Sequence, residues 1–100
     1  MILSELIKNI RPLKVVGDIE KDITSVEIDS RKITAGNMFA AIKGTQADGH
    51  RFIAKAIELG ATAILCEDMP EVIDRRIAYI QVESTETAIG PVATTFYSCP

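Results

Sequence analysis

The sequence has few of the residues that build metal sites and disulfides. Its 100 residues include two cysteines, Cys66 and Cys99, and a single histidine, His50. These side chains are widely separated along the chain, so they match neither a zinc-ligand spacing nor a disulfide framework. We therefore expect no metal site, and we expect Cys66, which ends an apolar run, to pack as a small hydrophobic residue.

Long apolar runs and clustered positive charge are also missing. No stretch approaches the ~20 apolar residues that a helix needs to cross a bilayer. The amino terminus has no basic stretch followed by a long apolar segment, the pattern of a signal peptide. The formal net charge is −3, and lysines and arginines alternate with acids, which argues against binding nucleic acid or an anionic membrane. We expect a cytoplasmic protein with no nucleic-acid or membrane partner.

The short motifs of nucleotide-driven catalysis are absent as well. The chain contains neither a Gly-x-x-x-x-Gly-Lys-Ser/Thr phosphate loop nor a Gly-x-Gly-x-x-Gly fingerprint. It shows no nucleophile paired with a base and no paired carboxylates for general acid–base chemistry. We expect no catalytic residues, and a domain that holds a ligand without being able to drive ATP-dependent chemistry alone.

The residues that are present suffice for one α/β domain. Hydrophobic residues make up 47% of the chain and charged residues 25%, which at this length supports a single core. Apolar periodicity predicts helices at 3–10 and 50–59 and strands at 14–16, 23–28, 38–42, 61–66 and 77–82.

The segment 38–66 has the order strand, polar loop, helix, strand, which is typical of a βαβ unit with parallel strands. Asp48 is a suitable N-cap for its helix, and Gly60 stands where a C′ glycine belongs. Further along, Gly90-Pro91 interrupts a last helical stretch, and we expect the proline to bend that helix or delay its start. The predicted architecture is a small mixed β-sheet with helices packed on it.

Two polar loops that follow predicted strands are the candidate binding elements. Residues 29–31 follow the strand at 23–28, and residues 44–50 follow the strand at 38–42. In open α/β sheets, ligands bind outside the carboxyl ends of the strands. The loops offer a hydroxyl, an amide, a guanidinium and free backbone N–H groups at a helix start, a set that suits phosphate and a hydrogen-bonding base.

Each of these residues also has a purely structural interpretation. Asp29 and Arg31 could pair with each other or cap a turn, which is the more common role of such residues. Asp48 is a helix cap before anything else. His50, in the first helical turn, is typically a partly exposed surface residue, and residues 45–46 could be ordinary loop residues.

An ordered series of turn glycines, polar loop residues and apolar helix residues runs through most of the chain. The series is Asp-Ser-Arg at 29–31, Gly36, Phe39, Ala41, Gly44, Asp48-Gly49-His50, Phe52-Ile53, Ala56-Ile57 and Gly60-Ala61. It closely resembles the amino-terminal domain of the Mur ligases, most specifically over residues 44–50. Residues 93–97 also resemble the helix that precedes the family's central ATP-binding domain.

The resemblance covers essentially the whole chain and implies an excised domain of a three-domain ligase. Residues 1–100 would form a single amino-terminal domain that binds a UDP-linked substrate, without the central ATP-binding and carboxyl-terminal domains of the parent enzyme. Residues 45–47 favour the family member that adds the third amino acid of the peptidoglycan stem peptide, meso-diaminopimelate or L-lysine. The alternatives are the member that adds D-Ala-D-Ala and a free-standing interaction domain.

By position, the resemblance assigns five residues to the UDP end of UDP-MurNAc-L-Ala-D-Glu. These are Ile28 through its backbone, Ser30 through its side chain, and Thr45, Gln46 and Ala47 around the uridine. It implies ATP and Mg²⁺ as cofactors of the full-length enzyme and none bound by this chain. The implied partners are the UDP-linked substrate and the central domain of the same parent chain.

Overall fold

A five-stranded mixed sheet organises the protein. The structure, a computed structural model, describes residues 1–44 and 48–98. In this part of the chain the strands are β1 (Lys14–Val16), β2 (Val26–Glu27), β3 (Met38–Ala40), β4 (Ala63–Cys66) and β5 (Ala78–Gln81). They lie in the order β1-β5-β4-β3-β2. β2 to β5 are mutually parallel, whereas β1 pairs antiparallel with β5. The predicted α/β class, the mixed sheet and the parallel pairing of β3 with β4 are confirmed.

Helices cover both faces of this sheet. They are α1 (Leu3–Leu6), α2 (Ile53–Leu59) and α3 (Thr85–Ser98), with 3₁₀ turns at Ser30–Lys32 and Gly49–Phe52. Within the described ranges, no helix combines the length and the apolar character needed to cross a membrane.

The core is divided by the sheet into two clusters. All four residues of β4 are buried, and they alternate between the two sides, as side chains along a strand must. Ala63 and Leu65 pack in the cluster beneath α1 and α3, whereas Ile64 and Cys66 pack in the cluster beneath α2. Cys66 packs as expected, and burial raises the pKa of its thiol to about 11.

The amino-terminal helix is shorter than the periodicity predicts. The helix ends at Leu6, and the following hydrogen bonds join residues three apart, from Lys8 N–H to the Glu5 carbonyl and from Ile10 N–H to the Ile7 carbonyl. The segment 7–10 therefore continues as turns, and Pro12 disfavours a return to helical conformation at Arg11. Apolar spacing identified the buried face correctly but not the length.

The strand predicted at 23–28 is reduced to Val26–Glu27 for a local reason. One carboxylate oxygen of Glu27 accepts the backbone N–H groups of Ile28 and Asp29, at 3.2 and 3.4 Å. In a continued strand one of these two N–H groups would point toward β3, because successive N–H groups of a strand point to opposite sides. A side chain thus ends the strand and turns the chain into the following polar loop.

Helix α3 is continuous through Gly90-Pro91, so the predicted delay in its start is wrong. It begins at Thr85 and contains Pro91 in its interior. Gly90 has no Cβ to clash with the proline ring. Thr87, whose carbonyl loses its partner at Pro91, lies on the exposed side of the helix, where water can reach it.

Gly60 adopts a backbone conformation that other residues disfavour. Its φ of +119° ends α2 in the left-handed region, and a Cβ there would lie 2.9 Å from the Ala35 Cα. Gly60→Ala should lower the free energy of unfolding by about 1–3 kcal/mol, measured by urea denaturation of the chain.

Gly90→Ala is the matched control. A Cβ at Gly90 meets nothing within 4 Å, and the gain in helix propensity is offset by the restriction that Pro91 places on the residue before it. Its effect should stay within about 0.5 kcal/mol. Equal effects of the two substitutions would contradict this assignment.

Candidate functional site

A cavity of about 550 Å³ opens at the carboxyl ends of β2 and β3. Its walls come from the two polar loops identified in the sequence, and the lining residues are Ile28, Asp29, Ser30, Arg31, Ile42, Gly44, Gly49 and Phe52. This volume lies within the range of small-molecule sites, and the position is that of ligands in open parallel sheets. We refer to it as the strand-end cavity.

The first wall is a 3₁₀ turn capped by Asp29. Its carboxylate accepts the Arg31 backbone N–H at 2.9 Å and holds the Arg31 guanidinium by two further bonds, at 3.0 and 2.9 Å. The side chain of Arg31, and then its backbone N–H, lower the pKa of Asp29 to about 2. The carboxylate is therefore ionised at neutral pH, and the guanidinium charge is largely balanced by it.

The same arrangement occurs at a second place in the chain. Asp74 accepts the Arg76 backbone N–H at 2.9 Å and pairs twice with its guanidinium, at 3.1 and 2.8 Å. That turn precedes β5, at the amino-terminal ends of the parallel strands and thus at the opposite end of the strands from the cavity. The Asp-x-Arg pair is thus a general way of closing a turn in this protein, and the structural interpretation of Asp29 and Arg31 is confirmed. Arg31 nevertheless lines the cavity with its remaining N–H groups free of Asp29.

Ser30 and Ile28 occupy the positions that a ligand would meet on this wall. Ser30 is buried, and among the described residues its hydroxyl is not part of the hydrogen-bond set that closes the turn. The Ile28 side chain is 58% exposed. Because Glu27 takes the N–H of Ile28, the backbone of Ile28 can offer a ligand only its carbonyl oxygen.

The second wall is the loop after β3, closed by contacts between its two ends. Gly49 N–H donates to the Ile42 carbonyl at 2.8 Å. The backbones of Lys43 and Asp48 form an isolated antiparallel β-bridge. A Cβ on Gly49 would lie 2.7 Å from the Ile42 backbone nitrogen, so only glycine allows this approach. Thr45, Gln46 and Ala47, assigned to the uridine by resemblance, lie outside the described residues.

Backbone N–H groups at the start of the second helix are not free, contrary to the expectation for this loop. Asp48 caps the turn as predicted, since its carboxylate accepts the N–H of His50 at 2.9 Å. The N–H groups of Gly49 and Arg51 donate to the carbonyls of Ile42 and Asp48. A phosphate in the cavity would therefore depend on Ser30 and Arg31 more than on this helix start.

Phe52 is a cavity residue that the sequence pattern missed. The periodicity assigned it to the buried stripe of the helix, but it is 39% exposed and lines the cavity. The reason is that residues 49–52 form a 3₁₀ turn, which has three residues per turn and rotates Phe52 away from the stripe that begins at Ile53. Three apolar residues, Ile28, Ile42 and Phe52, thus line the cavity.

His50, which was expected to be a partly exposed surface residue, is intermediate in burial and is held at both ring nitrogens. Its side chain is only 11% exposed. The ring Nδ1 lies 2.7 Å from Asp48 Oδ1, and the ring Nε2 lies 2.9 and 3.1 Å from the backbone nitrogens of Glu67 and Asp68. The contact with Glu67 joins residues 17 apart in sequence, which no local pattern could have indicated.

A cluster of metal-ligating side chains is not found within the described ranges. Residues 1–44 and 48–98 contain no group of three or more His, Cys, Asp or Glu side chains that could hold a metal ion, and the sequence has no phosphate loop. The residues present therefore do not fit ATP with Mg²⁺. They fit a polar, partly planar organic ligand with anionic groups.

The sequence matches known proteins along its length. Residues 22–97 match the sequence model described as Mur ligase family, catalytic domain. The chain is 55% identical, over 100 residues, to UDP-N-acetylmuramoyl-L-alanyl-D-glutamate--2,6-diaminopimelate ligase of Bacteroides thetaiotaomicron. That alignment covers 100% of this chain and 21% of the relative, so the chain spans about a fifth of the length of the relative it matches.

Solved structures show the same fold. The UDP-N-acetylmuramoylalanyl-D-glutamyl-2,6-diaminopimelate--D-alanyl-D-alanyl ligase from Acinetobacter baumannii superposes with a TM-score of 0.65 at 25% identity, over 81% of this chain and 21% of that one. The MurF ligase from Thermotoga maritima in complex with ADP gives 0.60 at 32% identity, over 68% of this chain and 15% of that one. With the family match extending over residues 22–97, these findings establish that the chain belongs to the Mur ligase family.

Proposed function

We propose that this chain is the amino-terminal domain of a cytoplasmic ligase of peptidoglycan precursor synthesis and that its strand-end cavity binds the UDP end of UDP-MurNAc-L-Ala-D-Glu. The parent enzyme would add 2,6-diaminopimelate to that substrate, using ATP and Mg²⁺ bound by its other domains. The main support for the proposal is the strand-end cavity, which lies at the carboxyl ends of β2 and β3. Its walls come from the two loops that resemble those of the Mur ligases.

The chemistry of the cavity fits a nucleoside diphosphate. Ile28 and Phe52 offer apolar surface for a planar base. Ser30 offers a hydroxyl and Arg31 offers guanidinium N–H groups for anionic oxygens. Gln46 would add a hydrogen-bonding amide, as the family resemblance assigns it to the uridine.

A remote handle of this kind serves the reaction by positioning. The UDP group does not react, but binding it holds the distant D-Glu carboxylate in place for activation in the next domain. The chain needs no catalytic residue for this role. Closure of the domains around the substrate would complete the site.

The choice between family members rests on sequence identity. The 2,6-diaminopimelate ligase of Bacteroides thetaiotaomicron shares 55% of residues over the whole chain, whereas the D-alanyl-D-alanyl ligase from Acinetobacter baumannii shares 25% over 81% of it. The relatives therefore favour the enzyme that adds the third residue. They also make a free-standing interaction domain the weaker alternative.

Substitutions in the two polar loops should affect binding of the UDP-linked substrate without slowing its chemistry. Contacts to the UDP end are similar in the ground state and the transition state, so Ser30→Ala and Gln46→Ala should raise KM and leave kcat nearly unchanged. Loss of one hydrogen bond to a charged phosphate costs about 1.5–3 kcal/mol, or roughly ten- to a hundred-fold in kcat/KM. The assay is steady-state kinetics of the full-length enzyme with ATP and amino acid saturating.

Ser4→Ala is the matched control, because Ser4 lies in α1, away from the cavity. It should leave KM for the UDP-linked substrate unchanged. If Ser30→Ala and Gln46→Ala behave like Ser4→Ala, both loops are purely structural and the proposed binding role is wrong.

The isolated chain should not turn over ATP. Its sequence has no phosphate loop, and the described residues provide no metal-binding cluster. The measurement is phosphate release from ATP and Mg²⁺ by the rigorously purified 100-residue chain, with the full-length enzyme as positive control. Turnover above the rate of a mock purification would contradict the proposal that ATP is bound by the other domains of the parent enzyme.

A further inference from the structure

The His50 ring is hydrogen-bonded on both nitrogens, and the geometry defines its proton. Two backbone N–H groups, those of Glu67 and Asp68, point at Nε2 from 2.9 and 3.1 Å. A nitrogen that accepts two donors carries no hydrogen, so the proton of the neutral ring is on Nδ1. Nδ1–H then donates to Asp48 Oδ1 at 2.7 Å. His50 is thus in its neutral, Nδ1-protonated form.

Asp48 supports this arrangement. Its carboxylate accepts both the backbone N–H and the ring N–H of His50, and these bonds, the backbone one first, lower its pKa. The carboxylate therefore remains an acceptor at neutral pH. The ring connects Asp48, at the end of the loop after β3, to residues 67–68, which directly follow β4.

Both ends of the cavity loop are fastened to this same short segment. At one end, Lys43 Nζ lies 3.0 Å from Asp68 Oδ2. At the other end, His50 accepts the N–H groups of Glu67 and Asp68. The residues next to these two anchors, Gly44 and Gly49, line the strand-end cavity. The position of the second cavity wall therefore depends on the His50 contact.

We propose that neutral His50 is a positioning residue that holds the Gly49 wall of the strand-end cavity against the end of β4, and that protonation of His50 weakens binding of the UDP-linked ligand. The proposal rests on the proposed function of the cavity. A second ring proton would place an N–H of Nε2 against the N–H groups of Glu67 and Asp68. The ring could not then keep its place, and the wall would lose one of the contacts that hold it.

Charged and titratable groups surround the ring from several elements. They are the carboxylates of Asp48, Glu67 and Asp68 and the cations of Lys43 and Arg51. Tyr79 from β5 borders the same region from below. None of these charges removes the conflict at Nε2, because that conflict is between hydrogen-bond donors in direct contact.

Two substitutions separate the roles of the ring nitrogens. His50→Gln provides a carbonyl oxygen near the position of Nε2, so it keeps the acceptor for residues 67–68 and does not ionise. His50→Asn keeps a donor near the position of Nδ1 for Asp48, but its side chain is too short to offer the second acceptor. The two variants are similar in polarity and differ in the contact at issue.

The experiment measures the Kd of UDP-MurNAc-L-Ala-D-Glu for the full-length enzyme by calorimetry at about pH 8 and about pH 5.5, within the range in which histidines change charge. The diphosphate of this ligand is esterified at both ends and has no terminal phosphate, so its charge does not change between these two pH values. The wild type should bind roughly tenfold more weakly at the lower pH. His50→Gln should bind like the wild type at pH 8 and lose this pH dependence, and His50→Asn should bind roughly tenfold more weakly at both.

A second readout requires no ligand. Amide hydrogen exchange at residues 67–68, followed by mass spectrometry at a single pH, should be faster in His50→Asn than in the wild type and should be restored in His50→Gln. Unchanged exchange and unchanged Kd in His50→Asn, or a pH dependence that persists in His50→Gln, would overturn the positioning role. Failure of the wild type to bind the ligand at either pH would instead overturn the proposed function, since that result does not depend on His50.

Discussion

Burial of β4 on both faces is the constraint on which the rest of the structure depends. Each of its residues, from Ala63 to Cys66, is inaccessible to solvent, so apolar material must cover the strand on either side. Helices α1 and α3 provide that cover on one face and α2 on the other. A strand buried in this way cannot carry polar side chains, and polar groups are therefore displaced to its ends.

The carboxyl end of β4 consequently becomes a junction for the surrounding elements. The Glu67 backbone carbonyl accepts from the Gln81 side chain at 2.9 Å, and its carboxylate accepts the Thr85 N–H at the start of α3 at 3.1 Å. The Glu67 N–H donates to His50, beside the cavity wall. Glu67 thus contacts β5, the start of α3 and the loop after β3. These contacts connect the second cavity wall to the sheet.

Features controlled by neighbouring residues could be predicted from the sequence. The apolar run ending at Cys66 predicts a buried strand, and the spacing of Asp48 and Gly60 predicts the limits of a helical segment, because caps and turn glycines act on adjacent backbone groups. Both loops that line the cavity were identified for the same reason. The contacts of His50 were not predictable, since Glu67 and Asp68 are distant in sequence and follow a different strand. The placement of Phe52 depended on a 3₁₀ turn that periodicity does not distinguish from an α-helix.

The central claim is that the strand-end cavity holds the UDP end of the substrate, and a crystal structure of the full-length enzyme with UDP-MurNAc-L-Ala-D-Glu tests it most directly. The expected result is electron density for the uracil beside Ile28 and Phe52, with phosphate oxygens within hydrogen-bond distance of the Ser30 hydroxyl. A second cavity of about 380 Å³, between the segment 9–11 that follows α1 and the start of α3, is lined by residues that include Arg11 and Ser84. Nucleotide density in that cavity, with the strand-end cavity empty, would contradict binding of the UDP end in the strand-end cavity.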